Sequence, residues 1–262
     1  MNAVSRNTQP ISFSDKEQEI QYKPVRPIKM VVNHLARLRA GRICVAGIDL
    51  YTGKHVRAIL ADGQESTFLR RNGGPFDIGN VVDLGSALPS PKVPKVEDHF
   101  FHGCHARYVR TAHPNGFWDL LKAVSKRDLA KIFGDQIVLT MTEKGFLHAR
   151  TGDGSIGCVI PYSRPECYID TWGKLRMSLV VLVNNTQTPL KLSLSDIRFY
   201  KDDQKTPNQE VIDMINARMN VEDIILGVGV DHIRLASAHY PQINWIQVTA
   251  VHLSGDPTWQ VG

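Results

Sequence analysis

The sequence predicts a mainly β chain with a few helices, folded as two lobes in tandem. Short apolar or alternating runs bounded by Gly, Asn, Asp and Pro recur between residues 28 and 253. Helical periodicity is confined to residues 119–133 and 209–218. Strand patterns begin again after the first of these helices, so two strand-rich halves flank it. At 262 residues and 42% apolar, the chain is long enough to fill one large core or two ordinary ones.

The elements follow in order. Residues 1–27 are rich in Ser, Asn, Gln, Lys and Pro without a sustained apolar period, and read as a flexible arm. The first lobe spans residues 28–134. It opens with a strand at Met30-Val31-Val32, a basic turn over residues 37–41 and a second strand over 43–48. The turn Tyr51-Thr52-Gly53-Lys54 leads into a third strand over 55–60, completing an antiparallel meander. A turn-rich stretch, residues 70–79, precedes a strand over 81–84. Pro89, Pro91 and Pro94 then fix an extended connector, because proline sets φ and cannot donate to a ladder. Leu120, Leu121, Val124, Leu129, Ile132 and Phe133 line one side of the helix over 119–133, with Gly134 placed to stop it.

The second lobe spans residues 135–262. Strands are expected over 137–142, 145–149, 155–160 and 176–183. Leu190, Leu192 and Leu194 alternate with Lys191, Ser193 and Ser195, the mark of a strand with one buried and one wet face. A short helix over 209–218 and strands over 223–230 and 245–253 close the lobe. Gly152-Asp153-Gly154-Ser155 lacks the Lys-Ser/Thr ending of a phosphate loop and reads as a hairpin turn.

Composition bounds the function. A formal charge of +5 and a pI near 9.0 fit a polyanionic partner. No apolar run approaches the roughly 20 residues that span a bilayer, and no secretory leader pattern is present, so a cytoplasmic location without membrane contact is expected. The cysteines at 44, 104, 158 and 167 form no CxxC pair, which argues for reduced thiols.

Several segments, taken in order, resemble a bacterial family, the dual OB-containing domain. They are Arg-Ile-Cys-Val-Ala-Gly-Ile at 42–48, Val-Arg-Ala-Ile at 56–59, Val-Val-Asp-Leu at 81–84, Leu-Ser-Leu-Ser-Asp at 192–196, Ile-Leu-Gly-Val-Gly at 225–229 and Trp-Ile-Gln-Val at 245–248. Where that family tends to have Trp-Ile-Arg-Pro, this chain has His55-Val56-Arg57-Ala58, without the aromatic and the proline. The resemblance implies two five-stranded OB-like small β-barrels packed in tandem, association with prokaryotic defence loci and a nucleic-acid-binding role, with no catalytic residues.

An OB barrel holds a single strand with a basic groove and aromatic faces, each base stack contributing about 1–3 kcal/mol. Candidates in the first lobe are Arg37, Arg39 and Arg42 at the first turn, Tyr51, Lys54 and Arg57 at the second, and Phe68, Arg70 and Arg71 at the third. Strand periodicity puts His55 and Arg57 on one face, where they would line the groove. In the connector, Phe101 and Tyr108 would stack on bases while His102, Arg107 and Arg110 meet phosphates.

His99, His102, Cys104 and His105 have zinc-ligand chemistry, but no second ligand pair accompanies them, so no cofactor is expected unless that cluster closes around zinc. A nuclease would need spaced carboxylates followed by a lysine. Asp83 and Glu97 have such a look, but His99 stands where the lysine belongs, and the expectation is a non-enzyme. The alternatives are a protein-interaction scaffold in an effector complex and a metal-dependent enzyme acting on nucleic acid.

Overall fold

The structure, a computed structural model, describes residues 27–60, 64–231 and 242–260. The arm expected over residues 1–27 lies outside these except for its last residue. No helix of the described residues is long and apolar enough to cross a membrane.

The first lobe contains β1 (Lys29–Arg37), β2 (Arg42–Asp49), β3 (His55–Ile59), β4 (Gln64–Glu65), β5 (Asn80–Asp83), β6 (Leu88–Pro89), β7 (Asp98–Phe100) and β8 (Arg107–Thr111). The predicted meander is present as β1-β2-β3, with Gly41 and Gly53 supplying left-handed turn residues. β1 also pairs with β5, and β3 pairs in parallel with β7. β8 is added beyond β5 as an edge of the sheet.

The second lobe contains β9 (Val138–Leu139), β10 (Gly145–His148), β11 (Ile156–Val159), β12 (Glu166–Ile169), β13 (Leu175–Val183), β14 (Thr186–Leu194), β15 (Ile224–Val230) and β16 (Ile243–Leu253). Its order is β11-β15-β16-β14-β13-β12, again with one parallel pair, β14 with β16. Helix α3 (Gln209–Met219) fills the crossover between β14 and β15. In the first lobe β3 pairs in parallel with β7 and β1 returns to β5; in the second β14 pairs in parallel with β16 and β11 returns to β15. This is the connectivity of a small, partly open Greek-key barrel of the OB type.

The helix expected over 119–133 is two helices, α1 (Pro114–Val124) and α2 (Ala130–Phe133). Pro114 opens α1, where its missing N–H costs nothing. Between the helices, Lys126 bridges to Val159 and Asp128 to Leu182. The buried Asp128 carboxylate accepts the backbone N–H groups of Ala130, Asn184 and Asn185. These long-range partners overrule the helical period. Phe117 and Leu121 of α1 belong to the first core, whereas Leu129 and Phe133 belong to the second.

The segment 152–155 is a turn but joins no hairpin. β10 pairs with β9 and β16, and β11 with β15. Gly152 and Gly154 instead pack on α2, where a Cβ would stand 2.7 Å from the Phe133 carbonyl oxygen and 2.6 Å from that of Ile132.

The lobes share an interface. Cys158, Ile197 and Ile225 of the second lobe pack into the first core. The Arg37 N–H donates to the Ser195 carbonyl at 2.8 Å, and Ser155 donates its N–H and hydroxyl to the Glu97 carboxylate at 3.0 and 2.7 Å. His252 Nε2 lies 2.9 Å from the Asn33 carbonyl oxygen, and His34 Nδ1 lies 2.7 Å from the Thr249 hydroxyl.

Candidate nucleic-acid interface

OB barrels commonly bind across their second and third strands and the loops beside them. In the first lobe that face is largely covered: from Ile43 to Asp49 every residue of β2 is buried except the half-buried Cys44. The expected groove residue Arg57 is buried as well. Its Nε donates to Asp98 Oδ1 at 2.7 Å, and its side chain is 6% exposed. The parallel pairing of β3 with β7 brings Asp98 opposite Arg57, so this arginine is an internal ion pair and does not line a surface groove. Phe101, expected to stack on a base, is also core, packed edge-on against Phe68 and Phe76. Phe68 is half-buried in that aromatic group.

The remaining candidates lie toward the surface. Arg39, Arg42, Tyr51 and Lys54 are exposed on the turns flanking β2. Arg37 is half-buried, its guanidinium 4.3 Å from the Tyr200 ring centre and bonded to the Gln204 carbonyl oxygen. Arg71 reaches Asp202 of the same loop at 3.3 Å. The loop over residues 200–204 thus contacts both basic turns.

The most ordered group is on β8, all five of whose residues are exposed. Arg70 stacks its guanidinium 4.4 Å from the Tyr108 ring centre. The Tyr108 hydroxyl and Thr111 Oγ1 are 3.1 Å apart, and Thr111 donates to Asn80 Oδ1 at 3.2 Å. A bulge at Val109 interrupts the register with β5. Such an insertion re-aims side chains. Arg70 thus fixes the Tyr108 plane on this edge strand, which also exposes Arg107 and Arg110.

The ligand atoms of the connector residues His99, His102, Cys104 and His105 do not converge within 4.8 Å in the structure. His99 Nδ1 lies 2.9 Å from the Glu97 carbonyl oxygen, while His102 and His105 meet only edge to face, with ring centres 5.5 Å apart. Cys104 and His102 are exposed. Among the described residues, the group whose ligand atoms converge within 4.8 Å is His34, His55 and Cys158. Sequence spacing gives no hint of it.

Sequence reasoning also missed Trp172, 80% exposed on the turn between β12 and β13. Asp170 shapes that turn by accepting the N–H groups of Trp172 and Lys174. An aromatic inside Asp-Thr-Trp-Gly was the available signal. A groove of about 470 Å³ between the lobes is lined by Trp118, Tyr162, Lys122, Arg127 and Arg164 together with Glu222 and Asp223, so its charge is mixed.

A family model described as the dual OB-containing domain matches residues 30–243. No curated protein matches the chain.

Proposed function

The chain belongs to the dual OB-containing domain family, and from that premise we propose that it binds single-stranded or junction nucleic acid along the β8 edge of its first lobe. The observation that carries this reading is the Arg70–Tyr108 stack flanked by the exposed Arg107 and Arg110. Guanidinium and phenol planes both accept an unstacked base, and neighbouring arginines neutralise phosphates. Arg39 and Arg42 extend the basic surface along the first barrel's entry loop. The protein would act as an accessory of a prokaryotic defence or nucleic-acid-processing system, with no catalytic site of its own.

The test is fluorescence polarisation with labelled single-stranded, duplex and junction DNA and RNA. Replacing Arg70, Arg107 and Arg110 by Glu together is expected to weaken binding at least about tenfold at low salt. It should also make the dependence of log K on log salt shallower by about 1.4, the contribution of the two phosphate contacts of Arg107 and Arg110 on a single strand. Absence of binding to every form at low salt would overturn the reading.

One observation favours a second reading. Among the described residues β8 is an edge strand with no neighbour beyond it in its sheet, so an extended peptide could add there as a further strand. A stoichiometric protein recovered from the native host, unaffected by nuclease treatment, would support that interaction scaffold instead.

A further inference from the structure

The geometry points to a buried transition-metal site of the zinc class at the interface of the two lobes, with His34, His55 and Cys158 as ligands. β1 supplies His34, β3 supplies His55 and β11 of the other lobe supplies Cys158, and one ligand atom of each lies within 4.8 Å of the others. Cys158 Sγ and His55 Nε2 are 3.7 Å apart. For tetrahedral zinc, metal–sulfur and metal–nitrogen bonds of about 2.3 and 2.0–2.1 Å put sulfur and nitrogen about 3.6 Å apart.

The hydrogen bonding also asks for a cation. Asn33 Nδ2 lies 3.2 Å from both His55 Nε2 and Cys158 Sγ, so one amide touches two of the ligand atoms. Buried nearby, His34 Nε2 and Asn33 Oδ1 have no hydrogen-bond partner among the described residues. Unsatisfied buried polar atoms cost stability, and a cation held by His34 Nε2 would satisfy one of these two. His34 Nδ1 is engaged by Thr249 Oγ1 at 2.7 Å, which leaves Nε2 as the ligating nitrogen and supplies the outer hydrogen bond that orients a metal-bound imidazole.

The backbone is arranged for this. The register of β1 against β2 slips between Val32 and His34, making Asn33 a bulged residue. The bulge turns Asn33 and His34, consecutive in sequence, toward the same interface. Gly227 fits the His34 ring closely: a Cβ there would stand 2.7 Å from Nδ1. His55 is half-buried, whereas His34 and Cys158 are fully buried, so the ion enters past His55. Coordination forms the metal–sulfur bond and releases the Cys158 thiol proton to solvent.

The experiment uses the full chain, purified without affinity-tag histidines and stripped of metal, then titrated with Co²⁺ and separately loaded with Zn²⁺. One equivalent of Co²⁺ is expected to give tetrahedral d–d absorption and a thiolate-to-cobalt charge-transfer band. The band should vanish in Cys158→Ser and persist in Cys104→Ser. X-ray absorption of the zinc-loaded wild type should give one sulfur and two imidazoles, a readout that needs no variant to fold. Absence of the band, its loss in Cys104→Ser, or a shell without sulfur would each overturn the site.

Discussion

Asp196→Ala is expected to lower the folding free energy by about 3–5 kcal/mol, the cost of stripping a buried ion pair of one partner. The carboxylate has no solvent exposure. Its Oδ2 accepts Arg198 Nη2 at 2.7 Å and the Val251 N–H at 3.0 Å, while Oδ1 accepts Arg198 Nε at 3.0 Å and the Arg198 N–H at 3.1 Å. Arg198 in turn donates to the carbonyls of Val251 and Trp259 at 2.8 and 3.1 Å, and lies 3.9 Å from the Trp259 ring centre. Without Asp196, a guanidinium would remain buried with only neutral acceptors. The pair fastens the end of β14, β16 and the segment around Trp259 to one another, and Asp196 also bridges to Ala36 of the first lobe. Chemical denaturation at neutral pH measures the effect. A loss below about 1 kcal/mol, the range of an exposed pair, would contradict this role.

Acidification is expected to produce the second large effect, through His252. Burial, followed by the field of Arg198, lowers its pKa to about 4, against the opposing influence of the Pro257 and Asn33 carbonyls and of Asp196. Phe117 covers the ring edge-on, and His34 lies within its electrostatic reach. The unfolded chain titrates near 6.5 and binds a proton first, so the folded state loses stability as pH falls from about 6.5 to about 4 and loses nothing further from this group below that. The full span corresponds to about 3 kcal/mol. Midpoints of urea unfolding between pH 7 and 4 give the slope. His252→Gln should be less stable at pH 7 but should show a flatter decline by one proton. A parallel decline in both proteins would exclude His252 as the source.

Much of the fold can be read directly from residue patterns. Leu190, Leu192 and Leu194 are buried on β14 as alternation demands, and the meander over β1 to β3 follows its turn residues. The site is harder to read because partners decide it. Arg57 looks like a surface cation until the parallel return of β7 brings Asp98 beside it, 41 residues later. Phe101 has the composition of a stacking residue, but Phe68 and Phe76 enclose it. Arg70 and Tyr108 are both legible as candidates, although their stacking is not, since it depends on where a turn meets an edge strand. His34, His55 and Cys158 belong to no spaced motif, and the bulge that orients His34 leaves no local signature.

The bonds from Asn33 and His34 to His252 and Thr249 span 219 and 215 residues of chain. During synthesis, β1 emerges long before the residues that cover its inner end. Contacts of such sequence separation close slowly, and until β16 is present the polar groups of Asn33 and His34 lack these partners. The two halves look alike in connectivity, yet neither seals its seam alone: β1 of the first barrel finds its polar partners on β16 of the second.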